Sequence, residues 1–319
     1  MLSTFIHRIQ QTFKSHSEQQ GIYAPILGIK DIHELQNRAE SYLHGSSHPH
    51  EVEHRQHGDA RSVYRGHGLD YEESRPYEPG DEMRFVNWRL SARTGKMYMK
   101  VFREERRPSM FILMDKRASM RFGSHTRLKV TQAARLSCLL ACIAIEKNIP
   151  VAGVLLDEET EWLPECQGET AIYSFIQSIA MPCPPLDNES SVSLQHTLKV
   201  ALNFLTPGSV VYLVSDFQDL DDGFTSSLLE LSSKHSVTAV NIFDQHEMRL
   251  PAIGNINLYD PATGTEHNLD TDSYQLRHTY EELASDHFKK IMNIFTAAGI
   301  QYHALGSDVE DIEQVVSLP

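Results

Sequence analysis

The sequence is poor in cysteine and has no long hydrophobic run. It contains 4 cysteines in 319 residues, none in a CxxC pair, which fits a reducing, cytoplasmic setting. The longest apolar run, residues 136–145, is about half of the roughly 20 residues that a membrane helix needs. The first 20 residues lack the continuous apolar segment of a secretory signal. We therefore expect a cytoplasmic protein without a membrane span.

Positive charge and enzyme fingerprints are also scarce. The chain has 29 Lys and Arg residues against 43 Asp and Glu residues, a formal net charge of −14. This balance argues against non-specific binding to nucleic acid or to an anionic membrane. The sequence has no Walker A loop, no GxGxxG fingerprint and no GxSxG elbow. Nothing therefore indicates nucleic acid as a partner, or the enzyme classes that these motifs mark.

Strands and helices alternate from residue 108 onward. Two segments, Met110–Asp115 and residues 209–214, are almost wholly apolar and are predicted to be buried strands. Amphipathic segments between such strands predict helices, including residues 126–147, 169–180 and 273–298. Residues 250–269 predict a hairpin, and residues 309–316 a closing helix. Apolar strands between amphipathic helices predict an α/β fold with a doubly wound, mostly parallel sheet.

The composition divides the chain into three parts. Residues 1–59 are predicted to hold two helices, Leu2–His16 and Ile32–Leu43, followed by a linker rich in histidine. Residues 60–107 alternate polar and aromatic segments with turn signals, and we interpret them as a β-rich insert packed on the sheet. Residues 108–319 form the α/β domain. The linker histidines lie among Ser, Pro and Gly, which favours a solvated linker over a Zn²⁺ site.

Two predicted strands lead into an acid, Asp115 and Asp216. In a doubly wound sheet, ligands bind at the carboxyl ends of the strands, where the strand order reverses. If the two strands are neighbours, Asp115, Ser119 and Asp216 would form a hard-oxygen site suited to Mg²⁺. Alternatively, each aspartate only caps the helix that follows it.

Residues 70–105 pack charges of both signs beside aromatic residues. One interpretation is a network of arginine–carboxylate pairs, covered by Trp88 and Tyr77, that locks the insert onto the sheet. The other is a surface for a protein partner, because Trp, Tyr and Arg are the usual anchors of interfaces. The residues assigned to that partner surface are Arg75, Tyr77, Asp81, Arg84, Trp88 and Arg93.

The segment from Gly66 to Glu105 resembles the signature of the bacterial family called domain of unknown function fifty-eight. The resemblance extends through Asp115 to Met120, Val214 to Phe217 and Asp244 to Gly264, and covers roughly residues 60 to 310. It implies a von Willebrand factor A-like domain after the signature. It also implies a non-enzymatic adaptor that binds a MoxR-type AAA+ ATPase in chaperone-like assembly or stress response.

The same resemblance implies a Mg²⁺ ion held by an Asp-x-Ser-x-Ser motif, a distant Thr and a distant Asp. This chain has Arg117 in place of the first serine, and Val192 is nearest to the position of the threonine. Only Asp115, Ser119 and Asp216 match the pattern. We expect the guanidinium of Arg117 to substitute for the metal, because it is always charged and forks onto carboxylate oxygens. The alternative is a Mg²⁺-dependent hydrolase or phosphatase that uses Asp115 and Asp216.

Overall fold

The structure is a computed structural model that describes residues 24–45, 70–103, 109–184, 192–220, 223–260 and 265–316. The chain divides into two compact units. Residues 49–107 form the smaller unit, and residues 1–48 with 108–319 form the larger one. The predicted helix Leu2–His16 and most of the histidine-rich linker lie outside the described residues.

The described elements number eight α-helices and ten strands. The helices are α1 (Ile29–Gly45), α2 (Trp88–Thr94), α3 (Lys129–Glu146), α4 (Glu169–Ala180), α5 (Leu194–Ala201), α6 (Phe224–Lys234), α7 (Gln245–Met248) and α8 (Tyr274–Ala297). The strands are β1 (Asp70–Pro76), β2 (Tyr98–Arg103), β3 (Met110–Asp115), β4 (Val151–Leu156), β5 (Thr160–Cys166), β6 (Val210–Ser215), β7 (Ser236–Phe243), β8 (Asn255–Asp260), β9 (Thr265–Asp270) and β10 (Gln301–Gly306).

The larger unit is built on a six-stranded sheet in the order β10-β7-β6-β3-β4-β5. All neighbouring strands are parallel except β4 and β5, which are antiparallel. The strand order reverses between β3 and β6, which pair from Met110↔Val210 to Met114↔Val214. The mostly parallel sheet predicted from the apolar strands is therefore confirmed, and its switch point lies between the strands that precede Asp115 and Asp216.

Helices cover both faces of this sheet. Along β3, Met110, Ile112 and Met114 face one core with side chains of α1, α3 and α4. Phe111 and Leu113 face the other core with side chains of α5, α6 and α8. Successive strand residues point to opposite faces, so a strand buried on both sides must be apolar at every position. This arrangement accounts for the unbroken apolar segments in the sequence.

Two elements differ from the sequence prediction. The edge strand β5 was not predicted. The predicted closing helix at residues 309–316 is wrong, since this segment contains only the 3₁₀ turn Glu313–Val315. The carbonyl of Val309 accepts hydrogen bonds from Gln132 Nε2 at 2.7 Å and Arg127 Nη1 at 3.1 Å. These side chains bind a carbonyl that a helix would need for its own ladder.

The smaller unit contains the antiparallel pair β1 and β2. The chain between these two strands forms a 3₁₀ turn at Met83–Phe85 and then α2. Asn87 caps α2 by accepting from the Leu90 amide at 3.2 Å. Gly95 ends the helix with φ of 71°, a left-handed conformation that favours glycine. The insert predicted to be β-rich therefore also contains two short helical segments.

Within the described ranges, every helix falls short of the length and apolar character that crossing a membrane requires.

Candidate functional site

An aspartate ends or closely follows each of the five mutually parallel strands of the large sheet. Parallel strands end at the same edge, so these residues line one border of the sheet, which we call the acidic rim. The strands next to Asp115 and Asp216 are neighbours, which was the condition for the predicted site. In the order from β4 to β10 across the sheet, the residues of the acidic rim are Asp157, Asp115, Asp216, Asp244 and Asp308.

The connection between β3 and α3, residues 116–128, runs along this rim, and we call it the rim loop. It supplies side chains to three of the acids: Arg117 binds Asp115, Arg121 binds Asp157, and Ser124 binds Asp244. Lys129, the first residue of α3, binds Asp216. One loop and the helix start that follows it therefore provide partners for four separate strand ends.

Asp115 is fully buried, and both oxygens of its carboxylate accept hydrogen bonds. Oδ1 accepts from the backbone amide and from Nε of Arg117, each at 3.0 Å. Oδ2 accepts from Arg117 Nη2 and from the Ser215 hydroxyl, each at 2.7 Å. A buried carboxylate requires compensation of this kind, because its desolvation is costly.

Arg117 bridges this buried carboxylate to a second one. Its Nη1 donates to Asp219 Oδ2 at 2.6 Å and its Nη2 to Asp219 Oδ1 at 3.1 Å. Nη1 also donates to the carbonyl of Val192 at 3.2 Å. Burial alone would lower the pKa of Arg117, but attraction to Asp115 and hydrogen bonds to both aspartates raise it above its ordinary value. The guanidinium is therefore a permanent cation at the switch point.

Asp216 belongs to a separate buried cluster. Lys129 Nζ donates to Asp216 Oδ2 at 2.8 Å and to Glu247 Oε1 at 2.6 Å, and all three side chains are almost inaccessible to solvent. Burial would lower the pKa of Lys129, but the two carboxylates raise it above its ordinary value. Burial raises the pKa of Glu247 above its usual range. One ammonium group is therefore the shared cationic partner of two buried acids.

Asp244 connects the rim loop to the far strands. Its carboxylate accepts from the Ser124 amide at 2.8 Å and from the hydroxyl of Ser307, which follows β10, at 3.1 Å. It also caps α7 by accepting from the His246 amide at 2.9 Å. Burial would raise the pKa of Asp244, but its hydrogen bonds outweigh this effect and lower it. Asp244 is therefore a buried, ionised junction.

The two carboxylates that were predicted to bind Mg²⁺ have different cationic partners. Asp115 holds Arg117, and Asp216 holds Lys129. Ser119 lies half-buried in the 3₁₀ turn Ala118–Arg121, and its hydroxyl makes no hydrogen bond to any other described residue. Each of the two predicted carboxylate ligands therefore already has a cationic partner within the chain.

The acidic rim contains functional candidates that the sequence interpretation missed. They belong to the hydrogen-bond and ion-pair networks along this rim: Ser124, Lys129, Asp219, Asp244 and Glu247. Three of them carry a signal that is visible in the sequence. Lys129 precedes the buried residue Ala133 by four positions, so the helical spacing places this lysine on the buried face of α3. Asp244 and Glu247 have capping-box spacing and form that box around α7.

The predicted partner surface lies in the smaller unit. Arg75 Nη2 binds Asp81 Oδ1 at 2.6 Å, and the hydrogen bond from Arg75 lowers the pKa of Asp81. Arg84 pairs with Glu82 and stacks on the ring of Phe85, 4.6 Å from its centroid.

Of the remaining surface residues, Tyr77 is half-buried and Arg93 is exposed. Trp88 is 63% exposed, so it does not cover these ion pairs as a lid would.

Comparison with known proteins identifies the family. The chain matches the family described as "Protein of unknown function DUF58" over residues 73–290, and it belongs to that family. The uncharacterized protein Rv1480 of Mycobacterium tuberculosis is 24% identical over 270 residues, which cover 82% of this chain and 81% of that protein. The uncharacterized protein Mb1516 of Mycobacterium bovis matches to the same extent, with 24% identity over 270 residues.

Two solved structures show limited similarity. One is the conserved hypothetical protein BatB from Bacteroides thetaiotaomicron, with 12% identity, a TM-score of 0.45 and coverage of 65% of this chain and 95% of that one. The other is an aerotolerance-related membrane protein from Bacteroides fragilis, with 14% identity, a TM-score of 0.42 and coverage of 65% and 96%.

Proposed function

We propose that this DUF58 protein is a non-enzymatic, cytoplasmic adaptor that binds a protein partner through a von Willebrand factor A-like domain. The proposed partner is a MoxR-type AAA+ ATPase, in chaperone-like assembly or stress response. The observation that carries the proposal is the pairing of Arg117 with Asp115 and Asp219 at the switch point of the sheet. This border is where α/β sheets bind their ligands, and here a cation of the chain itself occupies the switch point.

In this proposal Arg117 takes the place of the metal ion in a degenerate metal-ion-dependent adhesion site. Asp115 keeps its position at the end of β3, and the guanidinium forks onto both of its oxygens. An arginine suits this position, because it offers five donors in a plane and stays charged at any physiological pH.

The same contacts argue against a hydrolase that uses Asp115 and Asp216. A nucleophilic carboxylate needs an unshared oxygen directed at the substrate, whereas both oxygens of Asp115 accept hydrogen bonds from Arg117. Asp216 is buried against Lys129. We therefore do not propose the enzymatic alternative.

The smaller unit provides a second surface for the ATPase. Trp88 is exposed at the first residue of α2, and Arg89 and Arg93 are exposed on the same helix. An exposed tryptophan beside arginines is the composition found at interface hot spots. We propose that these residues, with Arg75, Tyr77, Asp81 and Arg84, contact the partner.

The test is an affinity pull-down of the full chain from its native cell, with ATP and Mg²⁺. We expect an AAA+ ATPase to co-purify with the wild type, and Trp88→Ala to reduce its recovery at least about tenfold. Trp88→Ala should unfold at the wild-type temperature, because the side chain is mostly exposed. The matched control is Trp162→Ala, since the chain has 2 tryptophans and Trp162 lies on β5 of the larger unit. Absence of an ATPase from the wild-type eluate would refute the proposal.

A further inference from the structure

Arg117 is bound by two carboxylates that differ in their exposure to solvent. The side chain of Asp115 is 0% exposed, whereas that of Asp219 is 39% exposed. Arg117 itself is nearly buried, with 11% of its side chain exposed. Asp219 therefore stands between the solvent and a cation that is otherwise held inside the protein.

All five N–H groups of the guanidinium have an acceptor. Nε and one Nη2 hydrogen bind Asp115, and the second Nη2 hydrogen binds Asp219. The two Nη1 hydrogens bind Asp219 and the carbonyl of Val192. Without Asp219, one N–H group of Nη1 and one of Nη2 would lack an acceptor. These two N–H groups lie side by side in the plane of the guanidinium. A planar group with two oxygens and a negative charge satisfies both, and a carboxylate has this shape.

The two aspartates are anchored to different extents. Asp115 also accepts from the Arg117 backbone amide and from the Ser215 hydroxyl, so it stays in place when Asp219 leaves. Across the parts of the chain that the structure describes, the carboxylate of Asp219 binds only Arg117. Of the two aspartates, Asp219 is therefore the one that another carboxylate can displace from Arg117.

We infer that Arg117 is a binding site for a carboxylate, and that Asp219 is an internal occupant which an Asp or Glu side chain of the partner protein replaces. The inference rests on the proposed binding function and specifies the chemistry of the partner group. The exchange preserves both hydrogen bonds and the net charge around Arg117. It requires movement only of the segment after β6 that carries Asp219.

The experiment uses the full-length chain labelled with ¹⁵N-arginine, and follows the Nε–H signal of Arg117 by NMR, assigned through bonds from its own backbone. Sodium acetate is the probe, and sodium chloride keeps the ionic strength constant. The variant is Asp219→Ala. The matched control is Asp286→Ala, which removes a similar acid from an exposed pair with Lys289.

In Asp219→Ala we expect acetate to shift the Arg117 signal saturably. Half-saturation should occur at a concentration at least about tenfold lower than in the wild type or the control, because an intramolecular competitor that occupies the site most of the time lowers apparent affinity by that factor. An equal response in all three proteins would overturn the inference. So would saturation by inorganic phosphate but not by acetate, which would identify a phosphate site instead.

This titration and the pull-down fail independently. Acetate binding that depends on removal of Asp219 supports the carboxylate site even if no ATPase is recovered. Recovery of the ATPase without any acetate response would leave the adaptor proposal standing and refute the role of Asp219.

Discussion

The most informative perturbation is Lys129→Met, which removes the only cation from the buried cluster of Lys129, Asp216 and Glu247. Methionine keeps most of the length and the apolar stem of lysine. The two carboxylates, each about 2% exposed, would then lose the cation that they share. Removing one partner of a buried ion pair costs about 3–5 kcal/mol, which for a unit of this size lowers the unfolding temperature by about 6–20 °C.

The loss of stability in Lys129→Met should depend on pH, and the ionisation of Glu247 determines the direction of this dependence. Burial already raises its pKa above the ordinary 4.5, and Lys129 opposes this rise. Without Lys129 the native-state pKa increases further, so the native protein binds more protons than the unfolded chain above that ordinary value. Stability then falls as pH rises through the window between the unfolded and native pKa values. The deficit of Lys129→Met should therefore be largest near neutral pH and shrink on acidification.

The assay is urea unfolding of the wild type and Lys129→Met at pH 7 and pH 5. The matched control is Lys234→Met, which removes a lysine that is 53% exposed and pairs with Glu230 on the surface of α6. We expect the control to change the unfolding free energy by less than about 0.5 kcal/mol. Adding Glu247→Gln to Lys129→Met should recover part of the loss. A deficit below about 1 kcal/mol that is the same at both pH values would contradict the reasoning.

Two further variants test other parts of the larger unit. Asp244→Asn should lower the unfolding free energy at pH 7 by about 1–3 kcal/mol. Since the pKa of Asp244 is lowered in the folded state, the greater stability of the wild type should disappear as pH falls through that native pKa. Circular dichroism during acid titration measures this difference. Parallel acid-unfolding profiles of the two proteins would contradict the stabilising role of the ionised Asp244. Gly153→Ala should destabilise by about 1–3 kcal/mol in thermal unfolding, because crowding a packed core is costly. Its Cβ would lie 2.6 Å from the Ile112 carbonyl oxygen and 2.9 Å from Cζ of Phe175, and unchanged stability would show that β4 can shift to accept it.

The sequence was sufficient to predict the bounds of an element where the local hydrophobic pattern agrees with the burial of that element. The bounds predicted for the strand Met110–Asp115 and the helix Glu169–Ala180 are those observed. Both are apolar or amphipathic segments with polar residues or glycine at their ends. Strand β5 escaped prediction because Glu161, Pro164 and Glu165 interrupt its apolar character. An edge strand tolerates proline and charge, since one side of it has no ladder to complete.

The candidate site was predictable only in part. The acids could be located because an aspartate at the end of an apolar strand is visible in the sequence. Their partners could not, because Lys129 meets Asp216 across 87 residues and Glu247 across 118 residues of chain. Such pairs follow from the strand order and from the path of the rim loop, which spacing along the chain does not encode. Arg117 was recognisable because it lies two residues from Asp115, while Asp219 was not.

The anchoring of the rim loop determines which part of the acidic rim can respond to a ligand. Arg121 donates to the Lys116 carbonyl at 2.8 Å and also binds Asp157, and Ser124 is held by Asp244. These contacts fix the loop on both sides of the 3₁₀ turn that follows Arg117. If an external carboxylate takes the place of Asp219, the guanidinium therefore stays where it is. Asp219 lies in the segment 216–220 that follows β6, so this segment is where occupancy of Arg117 can change the surface of the protein.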